Sequence, residues 1–192
     1  MLDTIKKYHS DFKQLLDCIK GYDKEGNELS FSIAVYKACT LIKSRTASDG
    51  KVIFIGNGGS AAISSHMAVD FWKNGNIRAI AFNDGSLLTC ISNDFGYKYV
   101  FEKPIEMFAI KEDVLFAISS SGMSENIIRG VEAARFKECK VITLSGFSED
   151  NNLRTIGDIN FYVPSMEYGP VEVAHQFICH WILDTIIAKS VL

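Results

Sequence analysis

The stretch Lys51-Val52-Ile53-Phe54-Ile55-Gly56-Asn57-Gly58-Gly59-Ser60 reads as a buried strand that ends in a glycine turn and opens a helix. Its β-branched and aromatic run has the continuous apolar character of a strand covered on both faces. Glycines at the strand end let the backbone come close to a ligand, and Ser60 reads as the N-cap of the next helix. Amides at such a helix start carry partial positive charge and suit an anion such as a phosphate. No Lys-Ser/Thr pair closes the turn, and its glycine spacing is not the dinucleotide fingerprint, so a nucleotide is not expected. The helix carries His66 and Asp70 four residues apart. They lie roughly 40° apart on one face and can reach a common ligand or ion.

Around this unit, apolar strands alternate with helical patterns. Strands are expected at 51–55, 77–82, 114–119, 140–145 and 159–163, with helices at 60–73, 86–93, 99–110 and 124–136 and a long one over 171–190. This predicts an α/β fold, a three-layer, doubly wound, five-stranded parallel sheet with ligands at the carboxyl ends of its strands. Before residue 50 two helical patterns, Leu2 to Ile19 and Ser30 to Ser48, flank the turn-rich Gly21-Tyr22-Asp23-Lys24-Glu25-Gly26-Asn27. They predict an N-terminal helical hairpin whose apolar positions, such as Leu15, Ile19, Ile33 and Ile42, need a cover that another subunit would supply. The expected organisation is a single domain over 1–192, with 1–50 for oligomerisation and 51–192 as the α/β core.

With 192 residues and 47% hydrophobic content the chain can bury a full core. Its net charge of −3, without a Lys/Arg run interleaved with aromatics, argues against nucleic acid as a partner. Met1-Leu2-Asp3-Thr4-Ile5-Lys6-Lys7 is too polar for a signal peptide, and no apolar stretch of about 18 residues suggests a membrane span, so a cytoplasmic protein is expected. Cys18, Cys39, Cys90, Cys139 and Cys179 form no C-x-x-C pair and read as reduced structural residues.

A second strand end, Ser119-Ser120-Ser121-Gly122-Met123-Ser124, also feeds a helix start. Hydroxyls and helix-start amides can bind a phosphate without Lys or Arg. The plainer reading is a serine-rich turn with Ser124 as N-cap.

Together with Asn93-Asp94-Phe95-Gly96, these two loops resemble those of the sugar isomerase (SIS) domain, and more narrowly those of the phosphoheptose isomerases. The resemblance covers nearly the whole chain. It implies a flavodoxin-like sheet and a homotetramer with active sites shared between subunits. It implies isomerisation of D-sedoheptulose 7-phosphate to D-glycero-D-manno-heptose 7-phosphate, a first step towards the heptoses of bacterial lipopolysaccharide and capsule. By the same resemblance Ser119, Ser120, Ser121 and Ser124 hold the phosphate, and Asn57, Gly58, Gly59, Ser60, Asn93, Asp94 and Glu172 contact the sugar.

His66, Asp70, Glu172 and His180 occupy the places that act on the sugar and in some members hold zinc, here one Zn2+ per subunit. Asp70 stands where the family commonly has glutamate, which withdraws the carboxylate by one bond. Glu172 replaces a neutral glutamine and adds a negative charge. Two imidazoles and two carboxylates are accepted zinc ligands. Glu172 and His180 are eight residues apart, roughly 80° around and 12 Å along a straight helix, and do not easily meet one ion. Either Glu172 precedes the regular helix, as Gly169-Pro170 permits, or the two serve different ends of the substrate or different subunits.

In the chemistry the resemblance implies, Asp70 is the base that shuttles the carbon proton and His180 moves protons at the oxygens. A zinc ion held by the same group would polarise the carbonyl and compete for Asp70. His9 and His175 read as surface or structural residues, and Trp72 and Trp181 as core. Two other readings stay open: a non-catalytic SIS module that binds a sugar phosphate or a protein partner, and an isomerase of a different sugar phosphate.

Overall fold

In the computed structural model, which describes residues 1–188, the chain runs α1 (Leu2–Asp17), β1 (Lys20–Asp23), β2 (Glu28–Leu29), α2 (Phe31–Thr46), β3 (Val52–Gly56), α3 (Gly59–Lys73), β4 (Ala79–Ala81) and α4 (Gly85–Asp94). It continues through α5 (Glu102–Phe108), β5 (Val114–Ser119), α6 (Glu125–Phe136), β6 (Lys140–Ser145), β7 (Ile159–Tyr162) and α7 (Tyr168–Ala188). Short 3-10 turns lie at Tyr97–Tyr99 and Asn152–Thr155. Positions 189–190 of the expected last helix lie outside the described residues.

The strands form one seven-stranded sheet in the order β2-β1-β7-β6-β5-β3-β4. β3 to β7 pair in parallel, as the alternating sequence predicts. The strand order reverses between β3 and β5, the place where open α/β sheets bind ligands. The remaining two strands correct the expected helical hairpin. Lys20–Asp23 and Glu28–Leu29 form a β-hairpin that adds to the edge of β7 in antiparallel register, with Gly21 opposite Phe161. These strands are too short to show a period of two, and the edge of β7 decides their conformation.

Alternate residues of β3 enter opposite layers. Val52 and Phe54 join the core under α2, α3 and α7, while Ile53 and Ile55 join the core under α5 and α6. Phe54 stacks on Phe116 at 4.8 Å and meets Phe71 edge-on at 5.2 Å. Each such side chain contributes roughly 1.5–3 kcal/mol by leaving water. At the amino ends of the strands, fully buried Asp113 accepts from the amides of Lys51 and Ile110 and from Lys51 Nζ, which fixes β3 against β5.

α3 and α7 run side by side in the same direction. A Cβ on Gly59 would meet the Glu172 carboxylate, Gln176 Nε2 lies 3.2 Å from Met67 Sδ, His66 faces His180, and a Cβ on Gly75 would meet Leu183. Contacts that rise together in number on both helices fix a parallel pair. α7 starts at Tyr168, three residues before the expected Val171, because Pro170 sits in the first turn, where a missing N–H costs nothing. Trp72 and Trp181, expected in the core, are 54% and 45% exposed. Trp181 packs edge-on against Phe31 and Phe177 with its outer part in solvent.

Candidate active site

Above the switch point between β3 and β5 lies a cavity of about 230 Å³. It is lined by Asn57, Gly58, Gly59, Ser60, Ile118, Ser119, Ser120, Ser121, Ser124, Tyr168 and Glu172. The glycine turn and the serine loop, read separately in the sequence, form its two walls. Its volume falls below the ~300–1,000 Å³ of sites that enclose drug-sized ligands, so it suits one end of a longer molecule.

Neither α3 nor α6, both of which begin at this cavity, is capped by a side chain. The N-cap of α3 is Gly58, at φ 53, and not Ser60 as the sequence suggested. Ser60 lies inside the first turn, buried at 4% exposure. Ser124 does occupy the N-cap of α6, but its side chain makes no capping bond. Its Oγ instead accepts from Ser119 Oγ at 3.4 Å, and Ser119 Oγ stands 3.5 Å from Ser121 Oγ. Three hydroxyls thus converge on a point faced by uncapped helix starts, where an anion can take the capping role. The backbone holds the loop: Gly122 N donates to Ser119 O and Oγ, and Gly146 N donates to Ser120 O.

Farther along the parallel helices, His66 Nε2 lies 3.3 Å from both His180 Nε2 and Asp70 Oδ2, and His180 Nδ1 lies 4.0 Å from Asp70 Oδ2. One ligand atom from each of the three residues falls within 4.8 Å of the others. Two imidazoles and a carboxylate are a donor set that zinc accepts. Glu172, expected beside them, is not in this group. It lies within regular α7, which removes the option of a position before the helix, and its carboxylate stands over Gly59 in the cavity wall. His66 is seven residues beyond Gly59, about two turns or roughly 10 Å along α3. The cavity and the His/Asp/His group are therefore two stations along one pair of helices.

Asn93 and Asp94 do not line the cavity. They close α4, where Asn93 Nδ2 donates to Asp94 Oδ1 at 2.9 Å and both are exposed. Sequence reading missed two residues that do touch the site, Tyr97 and Asn126, each hydrogen-bonded to Asn57. Asn126 follows the serine loop by two residues and Tyr97 follows Asn93-Asp94 by three, and that proximity was the one available signal.

His9 is exposed on α1 and His175 is fully buried on α7. His175 Nε2 donates to the Ser145 carbonyl at 3.2 Å, while His175 Nδ1 and Ser145 Oγ have no hydrogen-bond partner among the described residues. Burial pushes this imidazole down to about 4, and the bond to Ser145 only partly opposes it. The unfolded chain therefore binds a proton at this residue below its ordinary value near 6.5, and the folded chain does so only near 4. Folding stability is expected to fall as pH drops through that window, by on the order of 3 kcal/mol at its acid end. Urea midpoints at pH 7 and pH 5 should show a smaller drop for His175→Gln than for the wild type. Equal drops would place the acid sensitivity elsewhere.

A model of the SIS domain family matches residues 28–146 of the chain. The chain is 36% identical over 191 residues to the phosphoheptose isomerase of Yersinia pestis (strain Pestoides F), covering 95% of each. It is 42% identical over 144 residues to that of Edwardsiella ictaluri (strain 93-146), covering 71% of this chain and 73% of the relative. The solved structure of phosphoheptose isomerase GmhA from Neisseria gonorrhoeae superposes with a TM-score of 0.84 at 28% identity, over 96% of this chain and 98% of the other.

Proposed function

The chain belongs to the SIS domain family and, within it, to the phosphoheptose isomerases, and from that footing we propose that it converts D-sedoheptulose 7-phosphate to D-glycero-D-manno-heptose 7-phosphate. One observation carries this reading. The anion cradle and the His/Asp/His group lie at successive levels of α3 and α7, so a chain-like sugar phosphate held at one end presents its other end to titratable groups. Ser119, Ser121 and Ser124, with the first amides of α3 and α6, hold the phosphate, and Ser120 supports them from the buried side of the loop. Gly58 and Gly59 let the sugar lie against the backbone. Remote binding of this kind orients the reacting end.

Asp70 takes the proton from the carbon beside the carbonyl and returns it to the neighbouring carbon. His180 moves a proton between the two oxygens, so the enediol collapses with its carbonyl shifted by one carbon and no net change in atoms. His66, within 3.3 Å of both partners, keeps them together. These three residues would also hold zinc, whose contribution when bound is Lewis-acid polarisation of a carbonyl. Glu172, in the cavity wall, accepts hydrogen bonds from hydroxyls in the middle of the sugar. Asn93 and Asp94 reach the substrate only beyond the cavity, at its open side or across a subunit contact.

Exposed Leu2, Ile5 and Tyr8 on α1, with Trp72 and Trp181, give the chain an apolar surface to bury against copies of itself. We read it as one domain assembled as a homotetramer, residues 1–50 serving that contact. No described helix is long and apolar enough to cross a membrane, and a phosphorylated sugar as substrate supports the reading of a cytoplasmic reaction.

Purified protein incubated with sedoheptulose 7-phosphate should yield the aldose, followed by its anomeric proton resonance. It should retain about one zinc per chain, as expected of a single three-ligand site, and lose it to a chelator or on His66→Ala. Tight binding of ketose phosphates with no turnover of any would defeat the isomerase reading and leave a sugar-phosphate-binding regulator.

A further inference from the structure

Asn57 is gripped by two side chains from outside the glycine turn. Its carboxamide pairs head to head with that of Asn126: Asn57 Nδ2 donates to Asn126 Oδ1 at 2.9 Å, and Asn126 Nδ2 donates to Asn57 Oδ1 at 2.8 Å. The Tyr97 hydroxyl donates a further bond to Asn57 Oδ1 at 2.8 Å. Both lone-pair directions of Oδ1 are filled and one of the two Nδ2 protons is used. What remains to the Asn57 side chain is a single N–H.

The three residues come from three segments that meet only in the fold. Asn57 lies in the cavity wall after β3, and Asn126 is 4% exposed in the first turn of α6. Tyr97 opens the 3-10 turn after Gly96, whose φ of 101 allows the chain to double back from α4. Asn126 is locked by burial, so the Asn57–Asn126 pair fixes the plane of the carboxamide. Tyr97 adds a donated bond at the oxygen end and ties the carboxamide to a third segment.

We propose that Tyr97 and Asn126 are positioning residues that hold Asn57 as a donor only, so that this point of the site reads an acceptor oxygen, a hydroxyl or carbonyl of the sugar, and rejects a group that must donate. The proposal rests on the sugar phosphate reading of the same cavity. It predicts a division between the two ends of the ligand. Inorganic phosphate occupies the serine end alone, whereas the sugar must also meet Asn57.

Tyr97→Phe removes one hydroxyl from a half-exposed ring and spares the fold. The variant should bind sedoheptulose 7-phosphate about three- to tenfold more weakly, the worth of one net hydrogen bond, with inorganic phosphate affinity unchanged. In turnover the loss should fall on KM, with kcat within about twofold of wild type. In the ligand-free protein the Asn57 side-chain amide resonances, assigned by their disappearance in Asn57→Ala, should move in Tyr97→Phe. Equal weakening of both ligands would mean a loosened structure and would overturn the proposal, as would unmoved resonances or unchanged sugar phosphate affinity. A wild type that binds sedoheptulose 7-phosphate without turning it over defeats the isomerase reading, while the two affinities and the resonances still decide the role of Tyr97.

Discussion

Asp70→Asn is expected to lower kcat by about a thousandfold, the middle of the range for loss of a general base, with KM changed by no more than about threefold. The substitution keeps the shape of the side chain and removes its charge and basicity. Asp70 is partly buried on α3, its side chain 17% exposed, and its Oδ2 faces both His66 Nε2 and His180 Nδ1. The phosphate cradle, about three turns from Asp70 along α3, contains neither Asp70 nor its partners, so binding of the substrate's far end should survive. Zinc content measured on the same variant separates two ways of losing activity. If Asp70 acts as the base, the variant stays inactive even when zinc is supplied in excess. If it acts chiefly as a ligand, zinc is lost and excess zinc restores turnover. Activity above about a tenth of wild type would remove Asp70 from the proton transfer altogether. Glu172 could not simply replace it, since its carboxylate lies beside Gly59 at the other station.

Much of this arrangement was legible in the sequence because its determinants are local. Val52 to Ile55 is apolar on both alternating sets, which only a strand covered on both faces tolerates, and the same holds for Val114 to Ile118. Gly58 and Ser124 sit at strand ends that begin helices, which is enough to place both loops on one edge of a parallel sheet. The spacing of His66 and Asp70 fixes their common face. The eight-residue gap from Glu172 to His180 already set the two about 12 Å apart along a straight helix, although the resemblance counts Glu172 as a fourth metal ligand. In the fold Glu172 lies within α7, apart from the His66, Asp70 and His180 group.

What escaped the sequence depends on partners distant in the chain. Lys20-Gly21-Tyr22-Asp23 becomes a strand because β7 offers an open edge. Ser60 resembles a cap, but Gly58 can take a positive φ and starts the helix earlier. Trp72 and Trp181 are apolar and yet exposed, because the sheet lies on the opposite side of their helices. Tyr97 and Asn126 belong to no motif, and only the closing of three segments on Asn57 gives them a role.

Gly122→Ala is expected to cost about 3 kcal/mol of stability and to empty the phosphate cradle. Gly122 has a φ of +62, where a Cβ is strained by the backbone alone. The added methyl would also overlap Asn151 Oδ1 and Cγ and come within 2.8 Å of Asn151 Cβ. Asn151 has little room to retreat. It is 2% exposed, its Nδ2 donates to the carbonyls of Gly146 and Ser148, and its Oδ1 accepts from Arg154 N. The loop must therefore move, and with it the bonds from Gly122 N to Ser119 O and Oγ that orient the first hydroxyl of the cradle. In a chain of this length the loss should lower the thermal midpoint by roughly 6–12 °C, and phosphate affinity should fall by more than about tenfold. Gly26→Ala supplies the comparison, because Gly26 has a φ of +85 but nothing within 4 Å of its added Cβ. That variant should lose about 1–2 kcal/mol from backbone strain alone and bind phosphate as the wild type does. If both variants lost the same stability and both kept the phosphate, the contact between Gly122 and Asn151 would carry no weight, and the serine loop would owe its shape to its turn alone.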